Sequence, residues 1–363
     1  MTALPSLCIG QHTAQYPIIQ GGMGIRISGA NLAAAVANAG GIGIISAVGL
    51  GLESPHFDRT QVGRSRREQF FEANRLALID EIQTARRLSP NGVLGVNVMV
   101  AARDYETLVR TAAEAGIDVI ISGAGLPLAL PDYTADYPDV ALVPIVSSVR
   151  AARVIARKWQ RSDRLPDALV VENPNSAGGH LGAKTEELGD RALDADQVIP
   201  ELVALVRDDW NREIPIIAAG GVWDRGDIDR VMALGASGVQ IGTRFITTHE
   251  CDADPRYKMA HLNAKPDDVV IVPSPVGLPG RALRNPFVDK VLADSPDVEK
   301  RCLYHCLHSC KCREKQEAYC IIQALDRAAR GDVENGLIFA GSNAGESDRL
   351  RSVAEVMTEL VMV

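Results

Sequence analysis

Eight short apolar runs, each closed by Gly, Ser or Pro and separated by longer segments of helical period, constrain this chain more than anything else in it. They are residues 16–20 (YPIIQ), 42–46 (IGIIS), 94–98 (LGVNV), 119–122 (VIIS), 141–146 (ALVPIV), 168–172 (ALVVE), 214–218 (IPIIA) and 238–242 (GVQIG). Continuous apolar runs rather than polar–apolar alternation mark strands of a parallel sheet buried on both faces. Helical patterns fill the gaps at 29–39, 105–115, 148–159, 200–210 and 226–234. In the last of these, Ile228, Val231, Met232 and Leu234 recur at helical spacing, and Gly235 stands where a glycine commonly ends a helix. Eight β/α units in about 250 residues are the arithmetic of a (β/α)8 TIM barrel, whereas a doubly wound sheet usually closes with fewer strands.

The 363 residues leave material beyond such a barrel. Residues 1–250 are expected to form it, with an insertion at about 49–92 after the second strand. Residues 251–363 then read as a C-terminal cap carrying a cysteine-rich segment at 302–320. Hydrophobic residues are 46% and charged residues 23%, which excludes a disordered chain, a collagen-like repeat or a disulfide miniprotein. A formal charge of −8 argues against nucleic acid or an anionic membrane as partner and leaves small molecules. The N-terminal segment lacks a basic region followed by an apolar one, and no stretch reaches the roughly 18 uncharged apolar residues of a membrane span. The expectation is a cytoplasmic enzyme, with a homo-oligomer left open.

Parallel barrels carry their chemistry on the loops after the strands, and the loops after strands seven and eight commonly bind phosphate. Here those strands end in Gly220-Gly221 and Gly242-Thr243. Backbone N–H groups without a neighbouring Cβ can approach phosphate oxygens closely, and the Thr243 hydroxyl can donate as well. The phosphate of a flavin mononucleotide is one reading of this pattern; glycines that merely permit turns are the other. The first strand ends in Gly21-Gly22-Met23-Gly24, where backbone could lie against a planar ring. Asn97 and Ser122 add polar groups that need partners, which a ring, a water or a turn could supply. After strand six comes Glu172-Asn-Pro-Asn-Ser-Ala-Gly-Gly-His180-Leu-Gly182. A histidine among three glycines at the catalytic face is poorly explained as a packed core residue. Its unperturbed pKa near 6.5 suits acid–base work.

Taken in order, PIIQGGMG, GVNV, AGGHLG, IIAAGG and VQIGTRF resemble the nitronate monooxygenase family and its flavin-dependent enoyl reductase relatives over residues 16–290. The resemblance implies a barrel that binds FMN without covalent attachment. It implies ring contacts from the Gly22-Met23 backbone and Asn97, a contact near Glu172, and phosphate contacts from Gly178, Gly179, Gly220, Gly221 and the Gln240 to Thr243 strand end. The family's active-site histidine corresponds to His180. The implied reaction is oxidation of nitronates or nitroalkanes by O2 to carbonyl compounds and nitrite. An NAD(P)H-dependent reductase of enoyl thioesters or quinones is the alternative, and a redox sensor using flavin or metal is an alternative of another class. Two departures bear on substrate choice. Where many relatives have Lys-x-Thr-Ser-Val-Arg, this chain has Ile145-Val-Ser-Ser-Val-Arg150, so that lysine is missing, and the loop before AGGH is one residue longer.

Five of the seven cysteines fall within residues 302–320. Cys302, Cys306 and Cys310 stand at i, i+4 and i+8, which a helix would align along one face. Cys320 or Cys312 would then be a fourth ligand for zinc or an iron–sulfur cluster. The spacing matches neither a zinc ribbon nor a ferredoxin run, and the alternative is that small thiols pack a cap helix against the barrel.

Overall fold

All eight apolar runs become strands: β1 (Ile18–Gln20), β2 (Ile42–Ser46), β3 (Val93–Met99), β4 (Val119–Gly123), β5 (Ala141–Val146), β6 (Leu169–Glu172), β7 (Ile216–Ala219) and β8 (Gly238–Ile241). The computed structural model describes residues 3–362. Every neighbouring pair is parallel, and β8 pairs with β1 to close the barrel. The two-residue period of a strand then sorts the side chains. Ile19, Ile44, Val119, Ile121, Val143, Val170 and Ile217 fill the interior, while Ile18, Ile45, Val96, Val98, Ile120, Leu142 and Val171 meet the surrounding helices. Each such side chain, when fully buried, stabilises the fold by about 1.5–3 kcal/mol.

The helical ring includes α1 (Ala30–Asn38), α2 (Gly63–Leu88), α3 (Tyr105–Glu114) and the helices Val149–Trp159 and Arg225–Ala233. The last begins at a reciprocal cap between Asp224 and Asp227 and ends before Gly235, whose φ of 103° requires glycine. One boundary differs from expectation. The helix placed at 200–210 runs instead from Ala195 to Ala204 and continues as a π-turn over Leu205–Asp209, so Pro200 lies inside it rather than opening it. Val198, Ile199 and Leu202 bury one face of that helix, and this packing outweighs the loss of a single backbone hydrogen bond at the proline.

The domain boundaries also shift. Segment 49–92 is the β2–β3 crossover itself, with α2 lying between α1 and α3 in the ring. The C-terminal helix Val353–Val361 returns to pack on α1 and on Arg225–Ala233, and its Val353, Val356, Met357 and Leu360 join the main core. That helix closes the ring between Arg225–Ala233 and α1. The material between β8 and this helix is therefore an excursion from the barrel rather than a terminal appendage. Most of it forms a second core that gathers Val272, Val288, Tyr304, Leu307 and Ile322 with Phe70 of α2, whose ring stacks on Tyr304 at 4.8 Å.

The cysteines belong to that second core. Cys302, Cys306 and Cys310 do not lie on a helix: residues 301–310 are irregular, and the short helix Lys311–Lys315 carries only Cys312. Cys306, Cys310, Cys312 and Cys320 are buried, Cys302 is half-buried, and all are free thiols. Among the described residues, no three Cys, His, Asp or Glu side chains converge as a metal ion would require. Burial raises the Cys306 and Cys320 thiols above their ordinary range and pushes Cys312 up to about 12. The aligned helical face expected of a metal site is thus absent among the described residues, and the cysteines pack with the apolar side chains of the second core. Among the described residues, no helix is long and apolar enough to cross a membrane.

Candidate active site

Strand parity brings Glu172, Ala219 and Gln240 side by side across β6, β7 and β8, with Ile19 of β1 next to Gln240. Asn97 of β3 lies in register with Ser46 of β2. Asn97, Glu172 and Gln240 are all half-buried, and all belong to the inward-facing set of their strands. The Gln240 Oε1 atom is buried without a hydrogen-bond partner among the described residues. The Asn97 amide and the Glu172 carboxyl also bond to no described residue. Burial pushes the Glu172 carboxyl up to about 7. Three polar groups left to find partners at the mouth of an apolar barrel fit a polar heteroaromatic ring with several donors and acceptors.

The backbone around them is open for the same reason. A Cβ at Gly22 would fall 2.4 Å from the Asn97 Cβ, so any side chain there would displace Asn97. Gly220 and Gly221 have φ of 89° and 77°, which turns the chain after β7 in a way that L side chains resist. Gly242 faces Met23, whose Sδ would be 3.4 Å from a Cβ built there, so the loops after β1 and β8 meet. The Gly178 backbone comes against Ala340 and Gly341. Gly341 N–H donates to Thr243 Oγ1 (2.9 Å), Ser342 N–H to the Ser176 carbonyl (3.0 Å) and Asn343 Nδ2 to the Gly221 carbonyl (3.4 Å). The residues 341–343 thus join the glycine loops after β6, β7 and β8. No local pattern ties these residues to the site, because roughly a hundred residues separate them from Thr243.

His180 is not on a free loop. It forms the two-residue strand Gly179–His180, which pairs with Gly280 and Arg281 of the strand Gly280–Leu283. That strand pairs in turn with Val269–Val272. The imidazole Nε2 lies 2.9 Å from the buried Ser274 Oγ, and the ring meets Phe339 edge-on at 5.0 Å. Among the described residues, Nδ1 has no hydrogen-bond partner. Burial lowers the imidazole pKa to about 4, so the ring is neutral throughout the physiological range. Two further residues shape this element, and neither was legible in the sequence. The Arg281 guanidinium donates to the carbonyls of Pro174 (3.2 Å), Asn175 (3.0 Å) and Ala177, and so fixes the loop between Glu172 and His180. Tyr319 Oη donates to the Pro273 carbonyl (3.2 Å), which braces Ser274 from the cysteine segment.

Ser122 is the exception among the expected site residues. Its hydroxyl donates to the Val98 carbonyl (3.0 Å) and lies 2.8 Å from Tyr105 Oη of α3. Ile121 points inward, so Ser122 points outward to the helix layer, and its side chain is not part of the mouth.

The family model for nitronate monooxygenase matches residues 6–362. A probable nitronate monooxygenase of Staphylococcus saprophyticus is 26% identical over 295 residues, covering 78% of this chain and 79% of that protein. A Mycobacterium tuberculosis protein named (3aS,4S,5R,7aS)-5-hydroxy-7a-methyl-1-oxo-octahydro-1H-indene-4-carboxyl-CoA dehydrogenase is 27% identical over 281 residues, covering 77% of this chain and 66% of that one. Among solved structures, FabK from Thermotoga maritima superposes with a TM-score of 0.70 at 26% identity, over 96% of this chain and 92% of that one. Nitroalkane oxidase from Streptomyces ansochromogenes, at 20% identity and a TM-score of 0.67 over 96% and 95% of the two chains, shares the fold. With its barrel, its glycine-lined mouth and a family match over nearly its whole length, this chain belongs to the nitronate monooxygenase family and is a flavin-dependent oxidoreductase.

Proposed function

We propose that this protein is an FMN-dependent enzyme that oxidises nitronates and nitroalkanes with O2 to carbonyl compounds and nitrite. The observation that carries the reading is His180: a neutral imidazole set beside the polar mouth, with one ring nitrogen held by Ser274 and the other free. The Gly22-Met23 backbone, Asn97, Glu172 and Gln240 would hold the flavin ring. Gly178, Gly179, Gly220, Gly221, Gly242 and Thr243 would hold the phosphate, with Gly341 bracing Thr243. When bound, FMN supplies the electron acceptor that O2 then reoxidises.

The chain's own residues supply the proton chemistry. With the Nε2 proton donated to Ser274 Oγ, the Nδ1 lone pair can remove the α-proton of a neutral nitroalkane, leaving the anionic nitronate beside an imidazolium. In a poorly hydrated site these opposite charges stabilise one another more than they would in water. Ser274 is a positioning residue, because it fixes the tautomer and the ring plane.

A second reading is reduction of an enoyl thioester or quinone by NAD(P)H. It is favoured by relatives at similar identity, one named as a CoA-thioester dehydrogenase and one as FabK. Anaerobic mixing of the flavin-loaded protein separates the two. Bleaching of the flavin by a nitronate and not by NADH or NADPH supports the nitronate reaction; rapid bleaching by either nicotinamide, with none by a nitronate, overturns it.

A further inference from the structure

Glu172 stands at the barrel mouth without a counter-ion. It ends β6 on the inward face, in register with Ala219 of β7 and two positions beyond Val170, which pairs with Ile145 of β5. Ile145 packs against the barrel's interior cluster, and Ser147, two residues on, has its hydroxyl on the Gly182 carbonyl (3.3 Å). On the other side, past Ala219, lies the uncharged Gln240. Two groups on the neighbouring loop and strand could carry positive charge, and neither offers it to Glu172. His180 is neutral above a pH of about 4. The Arg281 guanidinium is committed to the carbonyls of Pro174, Asn175 and Ala177. Burial alone acts on the Glu172 carboxyl, with no charged neighbour adding to it or offsetting it.

A flavin ring that has taken up two electrons and one proton carries a negative charge, and a like charge nearby raises a carboxyl's affinity for protons. In a poorly hydrated mouth without a cation, that charge acts on Glu172 at short range. We infer that Glu172 is a proton site coupled to the redox state of the flavin: its carboxylate binds a proton when the ring is reduced and releases it when the ring is reoxidised. The step balances. Two electrons and one proton enter the ring, a second proton passes from solvent to the carboxylate, and the net charge of the mouth is unchanged.

The inference rests on the proposed seat of the ring beside Glu172, and it deepens that reading by giving this carboxyl a task separate from that of His180, which acts on substrate. It holds whether a nitronate or a nicotinamide brings the electrons. With the ring oxidised, Glu172 titrates at about 7, so the coupling shows above that pH, where the carboxyl starts ionised.

Potentiometric titration of the flavin-loaded protein with dithionite and mediator dyes, repeated between about pH 7.5 and 9, tests it. In the unaltered protein the midpoint potential should fall with pH at the slope of two protons per two electrons. Glu172→Gln keeps the size of the side chain and removes the proton site, so its slope should be half as steep. Ile145→Lys keeps the carboxyl and sets an ammonium on the adjacent inward position, which should hold Glu172 ionised in both redox states and halve the slope as well. If Glu172→Gln binds flavin poorly, the slope of Ile145→Lys decides alone. A one-proton slope in the unaltered protein would overturn the inference. So would a two-proton slope that persists in Glu172→Gln with the potential displaced equally at every pH, an outcome that leaves the seat of the ring standing. A potential that Glu172→Gln leaves unmoved at every pH would overturn both the coupling and the seat. A two-proton slope in Ile145→Lys would show that the missing counter-ion is not its origin.

Discussion

At the barrel mouth, glycines stand where neighbouring groups leave no room for a side chain; in the cap, cysteines stand where side chains are wanted to fill space. Gly22 has Asn97 within 2.4 Å of its missing Cβ, and the polar atoms around it lack partners. Cys306, Cys310, Cys312 and Cys320 are buried among Tyr304, Leu307, Tyr319 and Ile322. Small residues therefore mark a ligand site only where they leave polar groups unsatisfied. Where they pack against apolar neighbours, they mark a core.

Substitutions that reverse each role probe this contrast, and the largest effect belongs to the mouth. Gly22→Val should reduce bound flavin at least tenfold, read from the absorbance of the purified protein, because its side chain would occupy the space of Asn97. Retention of full flavin content would show that the glycine is not required by the site. Ser274→Ala comes next. Loss of one hydrogen bond to the neutral imidazole is worth about 0.5–1.5 kcal/mol, so turnover of neutral nitroalkanes should fall roughly twofold to twelvefold. A preformed nitronate, which needs no proton removed, should be oxidised at nearly the original rate.

The pH profile sharpens the same site. His180 becomes protonated only as pH falls through about 4, so its base form is complete at pH 6 and a loss of activity between pH 8 and 6 cannot come from it. Glu172 gains its proton as pH falls through about 7. A limb near pH 7 in nitroalkane kcat/KM is therefore expected to belong to Glu172 and to disappear in Glu172→Gln. Its persistence in that variant would show that another group titrates there. The smallest effect is in the cap. Cys312→Ala should cost about 1 kcal/mol and lower Tm by a few degrees, with flavin content and turnover unchanged. A loss of flavin in that variant would erase the distinction between the two regions.

Physical period decided what could be read from the sequence. The strands were legible because continuous apolar runs of four to six residues have few other solutions in a chain of this composition, and counting them gave the barrel. The same two-residue period could have corrected Ser122. Ile121 faces the interior, so its neighbour must face the helices. Irregular segments offer no such rule. The i, i+4, i+8 spacing of Cys302, Cys306 and Cys310 resembles a helical face, yet the backbone there is irregular. Pro200 resembled a helix start and is internal, since the burial of Val198, Ile199 and Leu202 extends the helix toward Asp194. Ser274, Arg281 and residues 341–343 reach the site through tertiary contacts with segments 94 to 166 positions away, a distance over which no local pattern acts.

The central claim is that His180 supplies the base at a flavin-binding mouth, and the most direct measurement is turnover of a neutral nitroalkane by His180→Asn together with its flavin content. The account predicts a protein that remains yellow with stoichiometric flavin and loses at least a hundredfold in kcat, within the range contributed by a positioned base. Turnover within a fewfold of the original, or loss of flavin as the primary defect, would contradict it.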